Sequence, residues 1–227
     1  MINAVIADDE KMSRNTLRKL LELYCPSVQV LAEAANAAET KEALQQWKPD
    51  LLFVESAFHG AHGAWRYELA KQPGWLRLDK PKAIYRLVER ARSRGIPSVF
   101  WNKDDGAFFD AFIDVALAFD HVFTTDEDCL ERYRQKVPAH VSVGTLAMPY
   151  QPTFHNFTGF NFTRAEACFT GSYYRRILND RRLFLDMVFD ACDDSNLRLN
   201  VFDRNHDRLS RHFEFSFPRK KQLCLHA

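Results

Sequence analysis

Short apolar runs of strand length alternate along this chain with segments whose apolar residues recur at helical spacing, and most of the runs end in polar residues. A parallel sheet wound with helices satisfies that order, because a helix must carry the chain back to the same end of the sheet before the next parallel strand begins. Ala4-Val5-Ile6-Ala7 is the first run and halts at Asp8-Asp9-Glu10. Leu17, Leu20, Leu21 and Tyr24 fall at i, i+3, i+4 and i+7, the stripe of a first helix. Val28 to Leu31 reads as a second strand, Ala37 to Trp47 as a second helix, and Leu51-Leu52-Phe53-Val54 as a doubly buried third strand that ends at Glu55. Ile84, Leu87, Val88 and Ala91 make a further helix closed by Gly95, followed by the strand Ser98 to Trp101. Phe108 to Leu117 reads as helix, His121 to Thr124 as strand, Thr125 to Asp128 as a capped helix start and Val141 to Val143 as strand. After an aperiodic stretch from Pro149 to Arg164, a shorter set begins with strand Ala167 to Thr170, helix Asn179 to Ala191 and strand Leu197 to Phe202.

The predicted class is α/β: an open doubly wound parallel sheet of the Rossmann-like or flavodoxin-like kind over residues 1–150, a crossing segment at 151–164, and an incomplete second α/β unit over 165–227. With 46% hydrophobic and 27% charged residues among 227, the composition fits packed domains rather than disorder. Lys plus Arg is 31 against 30 Asp plus Glu, so a formal charge of +1 supplies no global field for nucleic acid or anionic lipid. No run reaches the length of a membrane span and the first residues do not form a signal peptide, so a cytoplasmic protein without nucleic-acid partners is expected. The five cysteines are scattered, with no metal-binding spacing.

Ligands of open parallel sheets lie outside the carboxyl ends of the strands, which directs attention to Asp8, Asp9 and Glu55. Carboxylates gathered there repel one another unless a cation sits among them, and Mg²⁺ prefers such oxygen sets. Residues 1–55, with Val5-Ile6-Ala7-Asp8-Asp9-Glu10, Glu33-Ala34-Ala35-Asn36 and Lys48-Pro49-Asp50-Leu51-Leu52-Phe53-Val54, resemble the front half of a response-regulator receiver domain, closest to receivers with LytTR output domains. That resemblance implies Mg²⁺ binding by Asp8 and Asp9 and phosphorylation of the residue after the third strand. Here the residue is Glu55, whose carboxyl reaches about one methylene farther than an Asp, a displacement that matters to phosphoryl acceptance.

A second set of blocks runs from Pro49 to Phe58 and Gly63 to Tyr67, through Ile96 to Asp105 and Phe119 to Asp126, to Cys168 through Arg176. In that order they resemble the CgeB-type, spore-maturation-like family of GT-B glycosyltransferases, with residues 49–150 corresponding to the acceptor domain and a nucleotide-sugar domain beginning near 165. The resemblance implies glycosyl transfer from a nucleotide sugar to an unknown acceptor, with no cofactor required. Gly171 and Ser172, at a strand-to-helix turn, and the guanidinium groups of Arg175 and Arg176 suit a diphosphate. Glu55, Trp65, Arg66, Trp101, Asn102, Lys103 and Asp104 would form the acceptor-side cleft. The residues after Arg164 are too few to close a nucleotide-binding sheet, so weak or absent activity, or a partner chain completing the second domain, is expected. The alternative expectation is a receiver-type signalling module in which Asp8, Asp9 and Glu55 bind Mg²⁺ or Glu55 mimics a phosphorylated state.

Overall fold

A computed structural model of the chain describes residues 1–8, 11–59, 65–71, 82–148, 166–173, 179–203 and 223–226. Two compact units emerge, Met1–Tyr150 and Gln151–Ala227. The first runs β1 (Ile2–Ala7), α1 (Lys11–Tyr24), β2 (Val28–Ala34), α2 (Ala37–Gln46), β3 (Leu52–Glu55), α3 (Lys82–Ser93), β4 (Ser98–Asn102), α4 (Phe109–Ala116), β5 (His121–Thr124), α5 (Cys129–Arg134) and β6 (Ser142–Thr145). The second contains β7 (Ala167–Gly171), α6 (Asn179–Asp194), β8 (Leu199–Asp203) and β9 (Leu223–His226). Every strand pairing among the described residues is parallel, so the class is α/β with open, helix-wound parallel sheets.

One feature of the first unit departs from a single continuous sheet. β1 pairs with β2, while β3, β4, β5 and β6 form a separate four-stranded ladder in sequence order. β1 is tied to the segment that enters β3: Asp50 N–H donates to the Asn3 carbonyl at 3.0 Å, and Asn3 N–H donates to the Asp50 carboxylate at 2.7 Å. A side chain thus takes the donor that a ladder would give to the next backbone carbonyl, a local competition typical of Asp. In the second unit the order is β7, β8, β9, and β9 lies in the carboxyl-terminal segment where no strand was expected.

The core follows the burial of β4, whose five residues are all buried, as the middle of a parallel sheet requires. Phe100 on this strand packs against Phe112 of α4 and against Phe119, with ring centroids 6.3 and 5.3 Å apart. In the second unit α6 buries Leu185, Phe189 and Cys192 against Leu199 and Val201 of β8. No helix of the described residues is long and apolar enough to cross a membrane.

α3 stops where the sequence indicates. Gly95 takes φ +67°, its N–H donates to the Arg92 carbonyl and the Ile96 N–H to the Ala91 carbonyl, the two bonds of a Schellman closure that delivers the chain into β4. A Cβ at Gly95 meets nothing within 4 Å, so the cost of a side chain there is backbone strain alone. Gly95→Ala should therefore lower unfolding free energy by about 1 kcal/mol, and Gly95→Asn by less, as measured by urea denaturation.

Candidate functional site

The carboxyl ends of β3, β4 and β5 carry a connected cluster of polar groups, and it begins with strand register. Glu55, the last residue of β3, lies opposite Trp101 in β4, so the chain leaving β4 passes beside it. Lys103 Nζ donates to Glu55 Oε1 at 2.9 Å. Both side chains are partly open to solvent, so the ion pair contributes at most about 1 kcal/mol to stability and serves rather to fix charge positions.

Behind this pair the polar groups are buried and mutually satisfied. Ser56 is fully buried; its N–H donates to the Trp101 carbonyl at 2.9 Å, its hydroxyl donates to Asp104 Oδ2 at 2.6 Å and accepts from Lys103 N–H at 3.1 Å. Asn102, also fully buried, donates through Nδ2 to Asp105 Oδ1 at 2.6 Å and to the Tyr133 hydroxyl at 3.0 Å. Tyr133 in turn donates to Asp105 Oδ2 at 2.9 Å, so a residue of α5 closes the network. Burial pushes the Asp105 carboxyl above its ordinary value, against hydrogen bonds from Thr124 and Tyr133 that pull it down, with Asp126 adding to the rise. Burial also drives the Tyr133 phenol far up, against the hydrogen bond with Asn102 and reinforced by Asp105, so it stays a neutral donor.

A groove of about 720 Å³ lies between β1 and β3, and it brings together Asp8, Glu55, Lys103 and Trp65 along with apolar residues of both strands. Asp8 sits just beyond β1, its carbonyl accepting from Arg14 Nη1 at 2.5 Å. Asp9 lies outside the described residues. Among the described residues no three His, Cys, Asp or Glu side chains are grouped as metal ligands. Asp8, Glu55 and Lys103 all line this groove, and among the described residues the cation that meets Glu55 is the Lys103 ammonium.

The other residues singled out from sequence are placed as follows. Trp101 is buried and donates its indole N–H to the Leu146 carbonyl at 2.9 Å, while Asp104 is held by Ser56. Arg66 is exposed, its guanidinium 5.1 Å from the Tyr67 ring centroid. Gly171 and Ser172 end and follow β7 in the second unit, and the Ser172 carbonyl accepts from Arg181 Nη1 at 2.6 Å. Arg175 and Arg176 lie outside the described residues. Asp105 and Tyr133 were not among the residues picked from sequence as candidate site residues. The three-residue spacing of Asn102 and Asp105 was visible, but nothing in the sequence pairs either with a tyrosine 28 or more positions away.

No protein-family model matches the chain. Over 52 residues it is 38% identical to an uncharacterized response regulatory protein of Vibrio cholerae, covering 23% of this chain and 20% of that protein. Over 55 residues it is 38% identical to the transcriptional regulatory protein BtsR of Salmonella typhi, covering 24% of this chain and 23% of BtsR. The match thus spans about a fifth of the curated relatives' length. Among solved structures, RcsB of Salmonella enterica serovar Typhimurium bound to promoter rprA gives a TM-score of 0.35 at 15% identity, over 60% of this chain and 98% of the chain in that structure.

These findings correct the sequence reading. The relatives are by name a response regulatory protein and a transcriptional regulatory protein, so the resemblance to the CgeB-type family and the expected glycosyl transfer are withdrawn, and with them the nucleotide sugar and acceptor as partners. The diphosphate role of Gly171, Ser172, Arg175 and Arg176 and the acceptor-cleft role of Glu55, Trp65, Arg66, Trp101, Asn102, Lys103 and Asp104 lose their substrates. The expectation that nucleic acid plays no part is withdrawn as well, since BtsR is by name a transcriptional regulatory protein.

The buried network makes two measurable claims. Tyr133→Phe leaves the Asp105 carboxylate without one buried donor and should cost about 1–3 kcal/mol in chemical denaturation. Because the folded-state pKa of Asp105 is raised, the folded protein binds that proton more tightly than the unfolded chain, and its contribution to stability falls as pH rises from the ordinary value of 3.8 through the folded value. Asp105→Asn should remove that fall, seen as a difference between the stability–pH curves of variant and parent that grows across this window and is flat above it.

Proposed function

We propose that the front of the first unit is a receiver-type signalling module of a phosphorelay in which Glu55, paired with Lys103, stands in place of the acceptor Asp as a fixed, unphosphorylated state. The observation that carries this reading is the 2.9 Å contact between Lys103 Nζ and Glu55 Oε1 at the carboxyl ends of adjacent parallel strands. The similarity to a response regulatory protein over 52 residues and to the transcriptional regulatory protein BtsR over 55 supports the same class.

A receiver switches when a phosphoryl group adds negative charge at the end of the third strand. Glu55 keeps a negative charge there without that reaction, its carboxyl displaced outward by the extra methylene, and the Lys103 ammonium supplies the counter-charge that a bound cation would otherwise bring. The module would then signal by its abundance or by its contacts rather than by phosphorylation. As the name of BtsR suggests for that protein, the setting would be control of transcription, with output through contact with another component of the system.

Acyl-phosphate labelling tests this directly. Wild-type protein incubated with a small acyl phosphate and Mg²⁺ should show no phosphoryl adduct by intact mass. The double variant Glu55→Asp, Lys103→Ala should gain a Mg²⁺-dependent adduct at position 55, localised by peptide mapping. An adduct on wild-type Glu55 would overturn the fixed state, and failure of the folded double variant to label would overturn the receiver reading itself.

A further inference from the structure

We propose that the groove between α2 and α3 is a docking site for an acidic, amphipathic segment of a partner protein. The groove encloses about 660 Å³ and is lined on α2 by Ala38 and Lys41 and on α3 by Ala83, Arg86, Leu87 and Arg90, with Glu89 and Ser93 beside them. It shares Leu87 with the β1–β3 groove but takes no part in the Glu55–Lys103 pair, so it stands apart from the receiver reading.

The four arginines of α3 and the turn after it show why the groove is basic. Arg92 Nη2 donates to the Ala118 carbonyl at 2.9 Å and pairs with Asp120 at 3.3 Å. Arg94 Nη1 donates to the carbonyls of Leu44 and Gln45 at the end of α2, the second at 3.0 Å. These two are consumed in joining α3 to its neighbours. Arg86 and Arg90 have no carboxylate partner among the described residues, and Lys41 across the groove has none either. Arg86 and Arg90 are four positions apart on one helix face, a like-charge spacing that costs the helix a few tenths of a kcal/mol and is relieved when an anion sits between them.

Lys41, Arg86 and Arg90 against Glu89 leave the groove positively charged in a chain whose formal charge is only +1, so its field is local. The floor narrows the class of anion. Ala38, Ala83 and Leu87 offer small and aliphatic surface between the cations, which suits apolar side chains flanked by Asp or Glu. A bare phosphate chain would match the cations and leave that floor uncovered. An acidic segment with apolar residues on one side satisfies both features.

Fluorescence anisotropy with the full chain tests the proposal. The probe is a short labelled peptide of Glu and Leu in helical order, compared with an analogue in which Gln replaces each Glu and with a labelled random-sequence DNA duplex. Binding of the Glu peptide should weaken at least about tenfold in Arg86→Glu, Arg90→Glu and weaken as salt rises, because rim charges act through screened fields. The milder Arg86→Gln, Arg90→Gln pair should show an intermediate loss with an unchanged thermal melt, separating binding from folding. Arg134→Gln, Lys136→Gln removes equal charge elsewhere and should bind as the parent does. Equal binding of the Gln analogue, equal loss in the Arg134 and Lys136 variant, or DNA that binds while the Glu peptide does not would each overturn the proposal.

Discussion

Burying β4 from end to end imposes the condition that the rest of the first unit meets. A strand inside a parallel sheet, covered on both faces, gains from apolar burial, but its first and last residues here are Ser98 and Asn102, both fully buried. A buried polar side chain without a partner costs about 1–3 kcal/mol, so each end must be satisfied where it lies. At the amino end, Asp120 accepts from both the Ser98 N–H and the Ser98 hydroxyl, at 2.9 and 2.7 Å, while its own N–H donates back to that hydroxyl at 3.1 Å. At the carboxyl end, Asp105 and Tyr133 receive Asn102. These two clamps draw on the residue preceding β5 and on α5, and so they fix β4 and β5 in register and bring α5 to the edge of the sheet.

The two clamps also differ electrostatically. Burial alone would raise Asp120, yet the Ser98 hydroxyl and N–H and the Arg92 guanidinium outweigh it and hold the carboxyl below its ordinary value. At Asp105 burial prevails: it lifts the carboxyl above its ordinary value against hydrogen bonds from Thr124 and Tyr133, and Asp126 adds to the rise. Two aspartates that bracket one strand therefore respond to pH in opposite senses: the Asp120 contribution is lost as acid protonates it, whereas Asp105 becomes less costly there.

Much of this framework was legible in the sequence, and the illegible part has a common cause. β4 and β5 announce themselves as apolar runs, and Gly95 marks the end of α3, because burial and backbone conformation are local properties of a few successive residues; β3 forms where expected but leaves Phe53 exposed rather than buried on both faces. The partners of Glu55, Asn102 and Ser98 lie 48, 31 and 22 positions away, and no spacing rule reports such distances. The same limit explains the misleading second resemblance. Trp101-Asn102-Lys103-Asp104 looks like sugar-binding chemistry in a linear reading, since an aromatic ring, an amide and charged groups stand in a row. In the fold the indole N–H goes to the Leu146 carbonyl, the amide to Asp105 and Tyr133, and Asp104 to Ser56. Any parallel sheet needs polar residues at its strand ends to satisfy buried groups, so such clusters arise whether or not a ligand is bound.

Lys103 is the first residue past the buried strand whose side chain is free of these obligations, and its position gives the β3 edge its character. Its backbone N–H is tied to Ser56, so the origin of the side chain is set by the buried network, and the ammonium can reach only a short way before it meets Glu55. The groove beyond this pair has one wall locked to β4 through the parallel ladder and another, β1, tied at Asn3 and Asp50 to the segment that enters β3. The consequence of burying β4 so completely is that the backbone origins of both charges are set by the parallel ladder and by Ser56, while the ion pair itself, partly open to solvent, adds little to holding them.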